Sequence, residues 1–345
     1  MPEFASYSSS SIIALFAAAA VFVWWAGMRL PAHVAAIEAH TGMGQAFAGM
    51  VLLGGITTLP ELATAGSAAS FGAGELAVNN AFGSISFNLM LLAVGDAISG
   101  RKALTSIVAR PAILLQGVLG MLLLAIAAAA AGSADTIFLG AGLWSWALFA
   151  ATMTALWIAS RYERKPAWTA IEPPALPYGP DLPEVDIGLR RLVLHTAGLA
   201  AMILVGGSVL AGTGQQLSIR SGIDAGLVGF LLVALATSLP ELSTVVGAMA
   251  RRRYELAFGD IFGANLFNIA ILFVVDLAYP GPPVMSLAGP SEAVAALLGV
   301  VVTGCFVIGL LERRDRTIGR LGYDSIAAIG VYLLGVTYLA TIVAR

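Results

Sequence analysis

Two glutamates stand where a sequence fit for a membrane should carry none. The stretch GGITTLPELATAG (residues 54–66) places Glu61 beside Pro60 inside a long apolar run, and ALATSLPELSTVVG (residues 234–247) places Glu241 beside Pro240. A proline inside a helix withholds one hydrogen bond and crowds the carbonyl of the preceding turn. In a bilayer the freed backbone groups need partners. The hydroxyls of Thr57 and Thr58, or of Thr237 and Ser238, can serve, and so can a bound cation held by the freed carbonyls. Thr57 and Glu61 are four residues apart, as are Thr237 and Glu241, so each pair shares a helix face. In the apolar run that follows each motif, Ser84 and Asn88 share a face, and Ala264 and Asn268 do so in the second copy. Two carboxylates, two amide oxygens and several hydroxyls can therefore meet at one point. Hard cations want such oxygens, about six to eight for calcium and six for magnesium. Two glutamates neutralise one divalent ion.

Other polar residues carry less chemistry. Intramembrane carboxylates are costly and mark function by default. Asn88 and Asn268 have an alternative use as interhelical hydrogen-bonding groups. Asp96 and Asp276, close to the ends of their runs, read as solvated helix termini. Glu75 and Glu255 sit at helix starts, where an acid suits the dipole. Asn80 and Asp260 fall mid-helix and are ambiguous, with Asp260 the candidate third acid. His33, His40 and His195 lie outside both motifs, and the single cysteine, Cys305, lies in an apolar run as a small buried side chain. Soft-metal chemistry and an internal disulfide framework are thereby excluded.

The elements that position these residues follow from hydropathy. The 345 residues are 59% hydrophobic and 11% charged, against about 25% charged in soluble domains, with mean hydropathy +0.89. The partner implied is the lipid bilayer, with small inorganic cations as cargo. A net charge of −2 without a basic tail gives no reason to expect nucleic acid. Runs of about 20 apolar residues give ten spans, near 12–29, 43–69, 75–96, 110–131, 136–159, 190–212, 224–250, 255–276, 291–311 and 323–343. The first has no basic stretch before it and reads as a retained span. With both termini outside, sixteen of the eighteen Lys and Arg residues fall on the inner side, leaving only Arg220 and Arg345 outside. The polar stretch 161–189 reads as a cytoplasmic linker, too short for a domain of its own.

The second half repeats the first. Residues 57–96 lie over 237–276 without a gap, and about 17 of the 40 pairs are identical, among them Pro60, Glu61, Thr64, Glu75, Asn88 and Asp96. Five spans per half is an odd number, so the copies enter the membrane in opposite senses. Inverted repeats with ion sites on interrupted helices near the midplane are a plan of secondary transporters. The expected fold is all-α: ten transmembrane helices in two five-helix inverted repeats, residues 1–160 and 190–345, with helices 2, 3, 7 and 8 broken.

TTLPE with GSISFN, and ATSLPE with GANLFN, resemble the two alpha-repeats of the cation/calcium exchanger superfamily, in the flavour of its prokaryotic sodium/calcium antiporter branch. The resemblance covers some eighty residues by motif and the whole chain by topology. It implies Glu61 and Glu241 as the central calcium carboxylates. Thr57 and Thr237 would act through backbone oxygens and line the sodium sites. Thr58, Ser238 and Ser84 would supply hydroxyls, and Asn88 and Asn268 would complete the centre. The implied function is secondary antiport of Ca2+ for Na+ in the inner membrane, with no organic cofactor. Four departures stand out. Gly55 and Ile56 replace the usual small-polar lead into the motif, and Ile85 replaces an asparagine that the second copy keeps as Asn265. Ala264 replaces a serine, while Asn268 stands where many sodium-coupled members have aspartate. These departures open coupling to H+ as the alternative, with other divalent cations as possible cargo. An intramembrane protease is disfavoured, since HExxH and GxSG are both absent. A sensor that binds calcium without transporting it would leave the paired broken helices without a use.

Overall fold

The computed structural model describes residues 6–99, 102–108, 110–164, 168, 187–220 and 237–343. Most of the expected linker 161–189, the first half of the expected span 224–250, Arg101, Arg345 and the side chain of Glu75 lie outside the described residues. The chain runs as α1 (Ser9–Thr41), α2 (Gln45–Ala48), a π-helical turn (Gly49–Leu53), α3 (Gly54–Thr57), α4 (Leu59–Ser70), α5 (Gly74–Ser99), α6 (Leu104–Ile107) and α7 (Pro111–Ala130). A hairpin of β1 (Ile137–Phe138) and β2 (Ala141–Gly142) leads to α8 (Leu143–Arg164) and α9 (Leu189–Arg220). The second motif opens α10 (Leu239–Ala250). Then come α11 (Tyr254–Ala278), α12 (Val284–Leu287), α13 (Pro290–Glu312), a hairpin of β3 (Thr317–Ile318) and β4 (Leu321–Gly322), and α14 (Tyr323–Val343). Among the described residues eight helices are long and apolar enough to cross a membrane. The bent pair Gln45–Thr57 and Leu59–Ser70 adds a ninth span.

Four expectations are corrected. Helices 3 and 8 are not broken: α5 and α11 run without interruption. The span placed at 136–159 begins at Leu143, because 137–142 form the β1–β2 hairpin. The spans at 12–29 and 190–212 are longer, at 33 and 32 residues, about 50 Å each at 1.5 Å per residue. Pro31 lies inside α1 without ending it, and Arg29 stays on the helix by stacking 3.9 Å over Trp25 and donating to its carbonyl. The fourth concerns Asp96 and Asp276, which are buried and not solvated. Asp96 Oδ1 accepts from Leu104 N at 2.6 Å and its Oδ2 from Gly322 N at 2.6 Å. Asp276 Oδ1 accepts from Val284 N at 2.9 Å and its Oδ2 from Gly142 N at 2.7 Å. Each aspartate thus ties the hairpin of the other half to the turn after its own helix. All partners are offset by 180 residues, so the two clamps are copies of one device. Asp276→Ala strands two buried N–H groups, each costing about 1–3 kcal/mol. Its melting temperature in detergent should fall by several degrees, and that of Asp276→Asn by less.

α1 and α9, the repeat-equivalent long helices, run antiparallel. Arg220 donates to Tyr7 O at 2.8 Å at one end, Val23 packs on Gly206 in the middle, and the rings of His33 and His195 meet edge-on at the other. Each also lies on a motif helix through a glycine. A Cβ at Gly27 would meet Ser243 of α10, and one at Gly207 would meet Pro60 of α4. α11 is the most enclosed span. Its Gly259 and Gly263 interlock with Gly49, Met50 and Gly54 of the first motif, bringing backbone against backbone.

Candidate cation-binding site

The first motif bends where the sequence places its proline. Pro60 has no N–H for the bond back to Ile56, and the axes on either side of Thr58 diverge by 43°. Thr58 bridges the bend: its N–H reaches Gly54 O at 3.2 Å, its hydroxyl donates to the same carbonyl at 2.5 Å, and its own carbonyl accepts from Leu62 N at 3.0 Å. In the second motif Ser238 stands at the same place, with φ −91° and ψ 7° against −79° and −8° for Thr58, and accepts from Leu242 N at 3.0 Å. The break in the first motif starts a new helix, with Glu61 in the first turn of α4, and Glu241 stands in the first turn of α10. Both carboxylates therefore sit at a positive helix end inside the bundle.

Of the residues singled out by sequence, Thr57, Glu61, Ser84, Glu241 and Asn268 come together. Thr57, Thr58, Glu61, Ser84, Asn88, Thr237, Ser238, Glu241 and Asn268 are all buried. Ser84 and Asn268 lie beside Glu61, and Thr57 and Glu61 beside Glu241, so each glutamate is approached by side chains of the other half. None of these approaches closes a hydrogen bond of good geometry on a glutamate oxygen. Both side-chain oxygens of Glu61 and of Glu241, both polar atoms of Asn88 and of Asn268, and Ser238 Oγ have no partner. Buried polar groups are almost always bonded. Among the residues with such orphans are two repeat-equivalent pairs, Glu61 with Glu241 and Asn88 with Asn268, in each of which every polar side-chain atom is left over. Their chemistry is carboxylate, amide and hydroxyl oxygen, the donor set of a hard cation. Among the described residues no group of three or more His, Cys, Asp and Glu side chains is arranged to hold a resident metal ion.

Asp260 joins this centre. It is fully buried on α11, accepts from Thr57 Oγ1 at 3.3 Å and also from Thr244 Oγ1. Thr244 went unremarked at sequence level, although Thr64 and Thr244 form one of the identical pairs of the repeat. Ala264 is buried with its backbone against Gly54, so the missing hydroxyl falls where the two halves touch. Glu255 stands apart from the centre, paired with Arg110 at 3.1 Å.

A family model described as sodium/calcium exchanger protein matches the chain twice, over residues 11–160 and 192–341. The chain is similar to the putative antiporter CaxA of Alkalimonas amylolytica, 26% identical over 309 residues, covering 87% of this chain and 91% of the relative. It is 28% identical over 235 residues to the inner membrane protein YrbG of Escherichia coli K12, covering 65% of this chain and 66% of that one. A shorter match, 42% over 60 residues and 17% of each chain, is to the sodium/calcium exchanger MaX1 of Methanosarcina acetivorans. In three dimensions the fold is that of the sodium-calcium exchanger NCX_Mj, with TM-score 0.72 at 18% identity over 96% of this chain and 99% of the other. The chain belongs to the sodium/calcium exchanger protein family, and is a multi-pass membrane transporter of the antiporter class, not an enzyme.

Proposed function

We propose that the chain exchanges Ca2+ for Na+ by alternating access around Glu61 and Glu241. The observation that carries this reading is the set of buried, unpartnered side-chain oxygens on Glu61, Asn88, Glu241 and Asn268, with each glutamate in the first turn of a helix. Calcium would be held by the two carboxylates, the two amide oxygens and backbone oxygens of Thr57 and Thr237. The hydroxyls of Thr58, Ser84 and Ser238 would line the same wall. Sodium ions compete for the same oxygens, lined by Thr57 and Thr237. An empty pocket holds buried carboxylates with no counter-charge, and such charges cost several kcal/mol each. Crossing without cargo is thereby disfavoured, which makes the flux an exchange.

Ten spans in two inverted repeats, 1–160 and 190–345 joined by 161–189, are the architecture of this reading. The double family match, the antiparallel α1 and α9 and the paired aspartate clamps support it. The basic residues support an inner-membrane protein with both termini outside. α1 and α9 move as a pair against the site, riding on Gly27 and Gly207, while α5 and α11 stay fixed.

A second reading, proton-coupled exchange of Ca2+ or another divalent cation, is favoured by Ala264 and Asn268, which remove a hydroxyl and a carboxylate from sodium's ligands. Calcium uptake into proteoliposomes under separately imposed sodium and proton gradients tests both. The sodium reading expects uptake that follows an outward sodium gradient at constant pH. Uptake that ignores sodium and needs a pH difference replaces it with the proton reading, and binding with no flux under either gradient overturns both.

A further inference from the structure

Within the paired motif helices the repeat is broken at one acid. Asp260 lies over Asn80 at the 180-residue offset, so the second half has a carboxylate where the first has an amide. The difference extends to the surroundings. Asp260 receives the hydroxyls of Thr57, from the opposite repeat, and Thr244, from α10. Thr64, the counterpart of Thr244, turns instead to Pro60 O at 2.8 Å. Both oxygens of Asp260 act as acceptors, and Thr57, one of its two donors, lies beside Glu241. The centre therefore has a third buried acid behind Glu61 and Glu241, Asp260, which reaches it through Thr57 and not as a converging ligand, although Asn268 is an amide.

We propose that Asp260 is the positioning residue that sets how many monovalent ions are exchanged for each calcium ion. The inference rests on the exchange reading. An enclosed pocket takes up ions until its buried charge is compensated, since each uncompensated charge costs several kcal/mol. Three carboxylates match three monovalent ions, whereas one calcium ion leaves one negative charge uncovered. The two loaded forms then differ by one charge, and a full cycle moves one charge across the membrane. Asp260 acts through Thr57, whose one hydroxyl hydrogen lies between Asp260 Oδ1 and Gly54 O, each 3.3 Å away: a carboxylate at 260 draws that hydrogen from the carbonyl and so sets how Thr57 faces the cation. With asparagine at 260, as at 80, two carboxylates match one calcium ion or two monovalent ions, and the cycle is electroneutral.

The test uses the intact protein in proteoliposomes with a fixed gradient of the driving ion and an imposed potassium diffusion potential. The readout is calcium accumulated at equilibrium, which does not depend on rate. The unaltered chain should show about a tenfold change in accumulation for each ~59 mV. Asp260→Asn should show a change of less than about twofold over the same step, and Asp260→Glu, which keeps the charge, should follow the unaltered chain. A purely structural role would slow uptake and leave the voltage response alone. Asn80→Asp, made with Asp260 in place, reads the same claim from the other corner and should steepen the response. An unaltered chain without voltage response, an Asp260→Asn with the original response, or an Asn80→Asp with no steepening overturns the inference. Glu61→Gln separates the two levels. If it abolishes flux while Asp260→Asn keeps the full voltage response, only the role of Asp260 falls; if it leaves flux intact, the exchange site itself falls.

Discussion

Glu61→Gln and Glu241→Gln should each abolish calcium exchange in a protein that still folds. Each glutamate is buried, neither oxygen of either has a hydrogen-bond partner, and each stands at the start of a helix. Glutamine keeps the volume and removes the charge. Removing one partner of a buried charged interaction costs about 3–5 kcal/mol, a loss of about 100-fold or more in calcium affinity. The fold should not suffer, because the carboxylates do no bonding within the protein that an amide would forfeit. Radioactive calcium uptake in proteoliposomes reads the first effect, and size-exclusion elution with the thermal midpoint reads the second. Normal exchange by both variants would remove Glu61 and Glu241 from the site.

The second large effect is on folding. Gly263→Val should prevent assembly of the bundle. A Cβ at Gly263 would lie 2.2 Å from Met50 O and 2.6 Å from Met50 Cα, so it meets backbone and not a side chain that can swing away. Gly259 and Gly54 are pressed in the same way, against Ala46 O and Ala264 N. Overpacking a core costs about 1–3 kcal/mol even where side chains can yield. Here the whole first motif would have to lift off α11, and the cost should exceed that range. Monodisperse protein should not be recovered in mild detergent. Gly330→Val is the control, since nothing lies within 4 Å of its added Cβ, and it should purify like the parent. Recovery of folded Gly263→Val would mean that the two halves do not meet backbone to backbone.

The candidate site stands out in the sequence because its chemistry is expensive. Glu61 and Glu241 in apolar runs, each beside a proline and repeated at a constant offset, leave few other uses. Hydropathy located the spans but not their ends. Arg29 and Pro31 look like a stop, yet α1 continues to Thr41 because the guanidinium finds an indole face and a carbonyl along the helix. The breaks expected in helices 3 and 8 do not occur, since neither run contains a proline and their glycines serve close packing. Asp96 and Asp276 were misread for another reason. An acid at the end of an apolar run looks solvated, and only tertiary structure brings a hairpin from the other half to receive it. Asp260 was visible as an acid, but its meaning depends on Thr57, 203 residues away.

The head-to-tail pairing of α1 and α9 has an energetic corollary. In the proposed exchange cycle, sliding that pair toward one face of the membrane would present to the first motif what the reverse slide presents to the second, because the two helices lie antiparallel. Neither displacement is then intrinsically downhill, and the resting populations of the two open forms should lie close together. A machine so balanced holds no preferred direction of its own, and the concentrations and voltage on either side decide which way calcium goes.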